Sequence, residues 1–296
     1  MIDLTSHIGD VAPDLDSTFG DAVRAQLKQL SRPVDDYDTL AAARARHGFV
    51  RRPADLLTPP DANHKLAGAA TPSYGLTLHS FRVVLPAADG YRRLSLNACP
   101  HAGHCVKVCV LRNGNGRFGS VQRAWLWRTD LLAREPHAFA RILAFELVRA
   151  VRKHGRILFR PNVNSDIAWE TVLPSLTDGS VLPGVLSYGY SKRPETLQGD
   201  GWLGAAYRVA YSWNERSDAG AVAAAMARGV PVAMVTSRRK GAPTVTAAPF
   251  DPAPVVLDAD STDEWMLTAG GVIGDLSAKG KARSLTGRSG FVVSTP

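Results

Sequence analysis

Apolar β-type runs alternate with helical segments along most of this chain, and that alternation limits the available folds more than any other feature. The runs at 156–160, 185–190, 207–211 and 231–236 have the length and the aliphatic and aromatic content of buried strands. Segments of helical character, 167–176 and 217–228 among them, lie between. Repeated βα units of this kind imply an α/β protein with a mostly parallel sheet. Two architectures satisfy the pattern: a partial (β/α) barrel of about six units, and an open, mostly parallel α/β sheet. In both, ligands gather at the C-terminal ends of the strands.

Polar side chains cluster at those ends. Asn162, Asn164 and Asp166 follow the first run, Ser191 and Lys192 the second, and Ser212, Asn214 and Glu215 the third. Asp258, Asp260 and Asp263 follow a further strand over 254–257. Asn, Asp and Ser are also ordinary turn and N-cap residues, and Asp166, just ahead of Ile167-Ala168-Trp169-Glu170, has the position of an N-cap. Recurrence of the pattern favours a shared functional rim. Asp166 and Lys192 are the candidate catalytic groups there. Asn162, Asn164, Ser212, Asn214, Asp258 and Asp260 are candidates for holding a cofactor or substrate.

The rest of the chain frames this core. Residues 1–60 read as an N-terminal extension, with helices over 21–30 and 37–47 and a linker punctuated by Pro53 and Pro59-Pro60. This division predicts that residues 61–296, the α/β core, fold without it. Strand-type residues occupy 74–85 and 92–97, and helices are expected over 120–135 and 139–153, the second with a broad apolar face. The last strands fall at 271–276 and 290–294. No stretch approaches the ~20 apolar residues of a membrane span. The first twenty residues carry Asp3, Asp10, Asp14 and Asp16 and no apolar leader, so a cytoplasmic protein is expected.

All three cysteines of the chain fall in one window, Cys99-Pro-His-Ala-Gly-His-Cys105-Val-Lys-Val-Cys109. A disulfide framework uses an even number of scattered cysteines, so metal ligation is the stronger reading. Three thiolates with His101 or His104 would make a Cys3His zinc site, although no C-x2-C knuckle is present. Alternatively, three thiolates hold three irons of a [4Fe–4S] cluster and leave the fourth open. Radical S-adenosylmethionine (SAM) enzymes use that arrangement. Their usual spacing is C-x3-C-x2-C, against C-x5-C-x3-C here. The cysteine loop follows the first strands and precedes the first long helix, as it does in radical SAM barrels.

Lys+Arg 35 against Asp+Glu 27 leaves a net charge of +8, which favours anionic partners. Lys279-Gly280-Lys281-Ala282-Arg283 could cradle a phosphate or carboxylate, or form a solvated basic turn. It lacks the order of a Walker loop. Lys279 and Lys281 join the cofactor-binding candidates. Arg238-Arg239-Lys240 reads as an exposed loop able to grip a nucleic-acid backbone.

Several segments together resemble the phage and plasmid gene product 88 family: Asn63-His-Lys-Leu66, the Cys99–Cys109 window, 123–130, 160–170, 188–192, 211–215, 230–233, 258–260 and 276–283. The resemblance spans roughly residues 60 to 293 and implies a phage or prophage origin, hence the host cytoplasm. It carries no particular reaction. The residues themselves favour a phage-type iron–sulfur protein, a radical SAM-like enzyme acting on a nucleotide or nucleic-acid-related substrate with a [4Fe–4S] cluster and SAM. Two alternatives carry zinc. One is a zinc-stabilised nucleic-acid-binding or host-interacting protein without catalysis, and the other a base-exchange enzyme with Asp166 as nucleophile.

Overall fold

The computed structural model describes residues 1–28, 34–49, 55–62, 64–67, 69–88, 90–109, 113–244, 250, 254–268 and 270–295. Leu30, Pro53 and Asn63, which figure in the sequence reading, lie outside them. The chain opens with β1 (Ile2–Asp3), α1 (Leu4–Gly9), α2 (Ala12–Lys28) and α3 (Val34–Arg46). Then come β2 (Leu57–Thr58), α4 (His64–Ala67), β3 (Ser73–Leu76), β4 (Arg82–Leu85) and β5 (Leu94–Asn97). Two long helices follow, α5 (Gly119–Arg134) and α6 (Pro136–His154). The second half contains β6 (Ile157–Arg160), α7 (Trp169–Val172), α8 (Pro174–Asp178), β7 (Val185–Ser191), β8 (Tyr207–Ser212) and α9 (Ala219–Ala227). It ends with β9 (Val232–Thr236), β10 (Val256–Asp258), β11 (Ile273–Ser277) and β12 (Val292–Val293). Among the described residues no helix is long and apolar enough to cross a membrane.

The main sheet has the order β10-β11-β9-β8-β7-β6-β3-β2, and every neighbouring pair along it is parallel except β2 with β3. β3 lies beside β6, and from β6 through β7 and β8 to β9 each strand lies beside the next in sequence. The sheet does not close. Its edges are β2, a two-residue antiparallel strand, and β10, a three-residue strand, and these do not pair. A closed barrel requires first and last strands to share a ladder. Of the two expected architectures, the open sheet therefore describes this protein, and the barrel does not. The strand expected over 74–85 is also two strands. Phe81 has φ +58°, a left-handed conformation rare for a bulky residue. Beyond it, β4 pairs with β5, which also pairs with β1, in a separate three-stranded sheet of order β1-β5-β4.

Strand alternation sorts the side chains onto two faces. Ile157, Phe159, Tyr207 and Val209 enter the large core beneath the helices. Leu158, Tyr188, Ala210 and Ala233 point the other way, against Trp265 and Met266. The same alternation puts Arg160, Tyr190, Lys192, Ser212, Val235 and Leu276 along the second face, at the C-terminal strand ends.

The N-terminal segment is built into the large core. Leu4, Ile8, Leu15, Phe19, Val23 and Leu40 are at most 1% exposed and belong to the same cluster as Phe139, Ile142 and Leu143 of α6. The Asp16 carboxylate accepts from Ser175 N at 3.0 Å and Ser175 Oγ at 2.8 Å, and Asp36 pairs with Arg141 at 2.6 Å. Fully burying such a side chain contributes about 1.5–3 kcal/mol, so six together rival a whole-domain stability of about 5–15 kcal/mol. Deletion of residues 1–55 is expected to abolish cooperative unfolding in a denaturant titration. A sharp transition near the full-length midpoint would show the segment to be dispensable.

Glu146 of α6 is buried and accepts from the backbone N–H groups of Leu56 and Leu57, each at 2.9 Å. Burial, reinforced by Asp55, pushes its carboxyl up to about 7 from an ordinary 4.5. The folded state then binds more protons than the unfolded one across that window. Stability should therefore fall as pH rises from about 4.5 to about 7. Melting curves of Glu146→Gln should lack this slope, and an unchanged slope would assign it to other groups.

Candidate functional site

The C-terminal strand ends and the cysteine loop enclose a cavity of about 360 Å³. The opening has a structural cause. β8 pairs with β9 only through Tyr211 and Ser212, after which β12 takes the place beside Val235 and Thr236. The segments that leave β8 and enter β12 bring Trp213 and Phe291 to the cavity wall. Trp213 Nε1 donates to Gly290 O at 3.1 Å and holds the two segments together.

Cys99, Cys105 and Cys109 all line this cavity. β5 delivers Cys99, whose N–H donates to Asn97 Oδ1 at 3.0 Å. The 3-10 turn Gly103–Val108 presents Cys105, and Cys109 ends it. Ser80 Oγ lies 3.2 Å from Cys109 Sγ, and Cys99 Sγ donates to Asn164 O at 3.4 Å. Burial pushes the Cys99 thiol up to about 12, and Asp166 and the neighbouring cysteines add to the rise. Burial works against the Lys192 ammonium, yet Cys105, Asp166, Cys99 and Cys109 together hold it above its ordinary value. Lys192 thus shares one cavity wall with the three cysteines.

A carboxylate locks the cysteine loop from outside the cavity. Gly103 has φ +51°, and a Cβ there would fall 2.1 Å from Glu215 Oε1. That carboxylate accepts from His104 N at 2.8 Å, so the loop closes on it only where no side chain intervenes. His104 Nδ1 lies 3.3 Å from Ser289 O. Neither His104 nor His101 lines the cavity.

Asp166 ties three segments together. Its Oδ1 accepts from Ser191 Oγ at 2.7 Å, its Oδ2 from Lys192 N at 3.0 Å, and its own N–H donates to Ala98 O at 2.8 Å. It caps no helix: the N-cap of α7 is Ala168, which has no side-chain cap bond. Asn162 shapes the same turn. Its Oδ1 accepts from Ser165 Oγ, Ile167 N and Trp169 Nε1 at 2.8–3.1 Å, which occupies the acceptor within the chain.

Of the residues singled out from the sequence, Asn162, Asn164, Asp166, Lys192, Ser212, Asp260 and Lys279 line the cavity with the cysteines. Asn214, Asp258 and Lys281 do not. Asn214 is buried and bonds Tyr211 Oη and Ser212 O. Asp258 pairs with Arg238 at 3.0 Å, and Lys281 is exposed. The acids after β10 are neutralised within the fold. Asp260 contacts Arg238 at 3.2 Å and Lys279 Nζ at 2.7 Å, and Asp263 contacts Arg160 at 2.5 Å. Arg238, expected in an exposed loop, is 6% exposed and also contacts Asp275 at 2.6 Å.

Sequence reasoning missed the Arg160–Tyr190–Asp263 group. Tyr190 Oη donates to Asp263 Oδ1 at 2.6 Å, and the Arg160 guanidinium lies 4.9 Å from the Tyr190 ring centroid. The available signal was strand alternation, which puts Arg160 on one face with Leu158 and Tyr190 with Tyr188 and Lys192.

Fold and site together define an open α/β protein with a cysteine-lined cavity at the C-terminal edge of its sheet. A model of the gene product 88 family matches residues 55–294, and the chain belongs to that phage-type family. Searches of the curated proteins and of the solved structures return no match.

Gly103→Ala is expected to destabilise the protein by about 1–2 kcal/mol from the left-handed backbone alone, plus the clash with Glu215. Its melting temperature should fall, and Glu215→Ala, which relieves the clash, should recover part of the loss. A Gly103→Ala protein as stable as the parent would refute the lock. Asp166→Asn puts an amide donor against either Ser191 Oγ or Lys192 N. A loss of about 1–3 kcal/mol in chemical denaturation is expected, and an unchanged midpoint would show that the clamp contributes nothing.

Proposed function

We propose that this protein is an iron–sulfur enzyme with a radical SAM-like site, acting on a nucleotide or nucleic-acid-related substrate. The observation that carries this reading is the placement of Cys99, Cys105 and Cys109 around one cavity with Lys192 and Asp166. Among the described residues no group of three or more His, Cys, Asp or Glu is already gathered to hold a metal ion, so the reading rests on the three thiols sharing one cavity. The histidine that would complete a Cys3His zinc site does not line that cavity, whereas an open-iron cluster takes three thiolates alone. The order of winding agrees as well: β3, β6, β7, β8 and β9 are successive parallel neighbours in the main sheet, and the cysteine loop lies between β5 and α5.

Cys99, Cys105 and Cys109 would hold the cluster. When bound, it supplies one-electron reduction and, at its open iron, a site at which SAM is cleaved to a carbon radical. The chain's own groups do the rest. Lys192 brings positive charge to the thiolates and compensates their burial. Asp166 keeps Lys192 and the start of the cysteine loop in register. Ser212 offers a hydroxyl, and the Asp260–Lys279 ion pair a polar edge, to the polar ends of a ligand. Ala233, Val235, Leu276 and Phe291 form apolar walls that exclude water from reactive intermediates.

Anaerobically purified protein should contain about four irons and four sulfides per chain and absorb broadly near ~400 nm. It should also release 5′-deoxyadenosine from SAM under reduction. Cys105→Ala should lose most of the iron while keeping the α/β circular dichroism. One zinc per chain with no sulfide, or full iron content in Cys105→Ala, would overturn the reading.

A further inference from the structure

Two basic segments far apart in sequence converge on a second cavity. β9 and β11 are parallel neighbours in register through Thr236 and Ser277, so the turns after them leave the sheet side by side. Ser237, Arg239 and Lys240 from the first turn, and Arg283 and Thr286 from the second, line a cavity of about 540 Å³. Among the described residues no Asp or Glu lines it. Arg238, also on its wall, is committed inward to Asp258, Asp260 and Asp275. Arg239, Lys240 and Arg283 are exposed, and among the described residues none has a carboxylate partner. Arg283 donates to Ala278 O at 3.2 Å through Nε alone, which leaves its terminal nitrogens available.

We infer that this cavity is a phosphate site that takes a compact polyphosphate, either inorganic pyrophosphate or the polyphosphate tail of a nucleotide. Three uncompensated cations around one concave volume match several phosphate oxygens at once, and the Ser237 and Thr286 hydroxyls add hydrogen-bonding groups. Arginine pairs with phosphate oxygens through charge-assisted, often bidentate bonds. A polynucleotide backbone would instead be served by charges spaced along a stripe. The inference rests on these side chains alone. The cavity shares no lining residue with the cysteine-lined one, so the phosphate site stands or falls apart from the cluster.

The test is calorimetric titration of the full-length protein with inorganic pyrophosphate at low salt, followed by a single-stranded 12-nucleotide DNA. Pyrophosphate should bind, and more weakly as salt rises. Arg239→Gln and Arg283→Gln should each weaken binding by about tenfold, with melting temperature and iron content unchanged because both residues are exposed. Lys281→Gln, on the same turn but outside the cavity, should stay within about twofold. Absence of binding at millimolar pyrophosphate would overturn the inference. So would an equal loss in Lys281→Gln, which would mean diffuse surface charge. DNA binding lost in the two Arg variants while pyrophosphate fails to bind would overturn it in favour of a polynucleotide backbone.

Discussion

Both carboxylate oxygens of Asp166 are occupied by β7, one by the Ser191 hydroxyl and one by the Lys192 N–H, while the backbone N–H of Asp166 reaches Ala98, the residue before Cys99. Three segments distant in sequence meet at this one side chain: the turn after β6, the end of β7 and the start of the cysteine loop. Parallel strands bring their C-terminal ends to one edge, but a shared edge does not by itself orient the loops. The Asp166 bonds supply that orientation, and Glu215 does the same from the far side of the loop by filling the space that Gly103 leaves open. With both in place, the cysteines and Lys192 line one cavity.

Buried charge is the second constraint. Arg160, Arg238, Asp260, Asp263 and Asp275 all sit at or near the strand ends with little exposure, and unpaired charges there would be costly. The fold answers by pairing them: Arg160 with Asp263, and Arg238 with Asp260 and Asp275. What remains unpaired is therefore informative. Asp166 and the cysteine thiols hold the Lys192 ammonium above its ordinary value. Among the described residues Arg239, Lys240 and Arg283 have no carboxylate partner. Asp258 and Asp260, cofactor or substrate candidates in the sequence, and Asp263 thus pair with arginines, and the basic turns lie next door.

Much of the framework was legible in the residues. The apolar runs at 156–160, 185–190, 207–211 and 231–236 are β6 to β9 within a residue or two at each end, because a buried parallel strand must be apolar on both faces. The three clustered cysteines line one cavity at the strand ends. Less legible was everything that depends on distant partners. Asp166 has the spacing of an N-cap, but local spacing does not reveal that Ser191 and Lys192 will lie within hydrogen-bond reach. Arg238 sits in a run of basic residues that reads as solvated, yet three carboxylates from β10 and β11 draw it inside. The helices of the first 60 residues read as an extension because their apolar faces are short, whereas Leu15, Phe19 and Val23 are covered fully by α6.

By itself, the sequence determined the α/β class, the parallel strands, the helical segments between them and the loop that carries all three thiols. Periodicity and chain connectivity are local properties, and they suffice for these. Only the tertiary structure decided that the sheet stays open, that β12 displaces β8 beside β9 to make room for a cavity, and that two basic turns face one another. Those outcomes follow from which strand edges pair and which charges find a partner. Both are contacts between residues tens to hundreds of positions apart, and no local pattern encodes them.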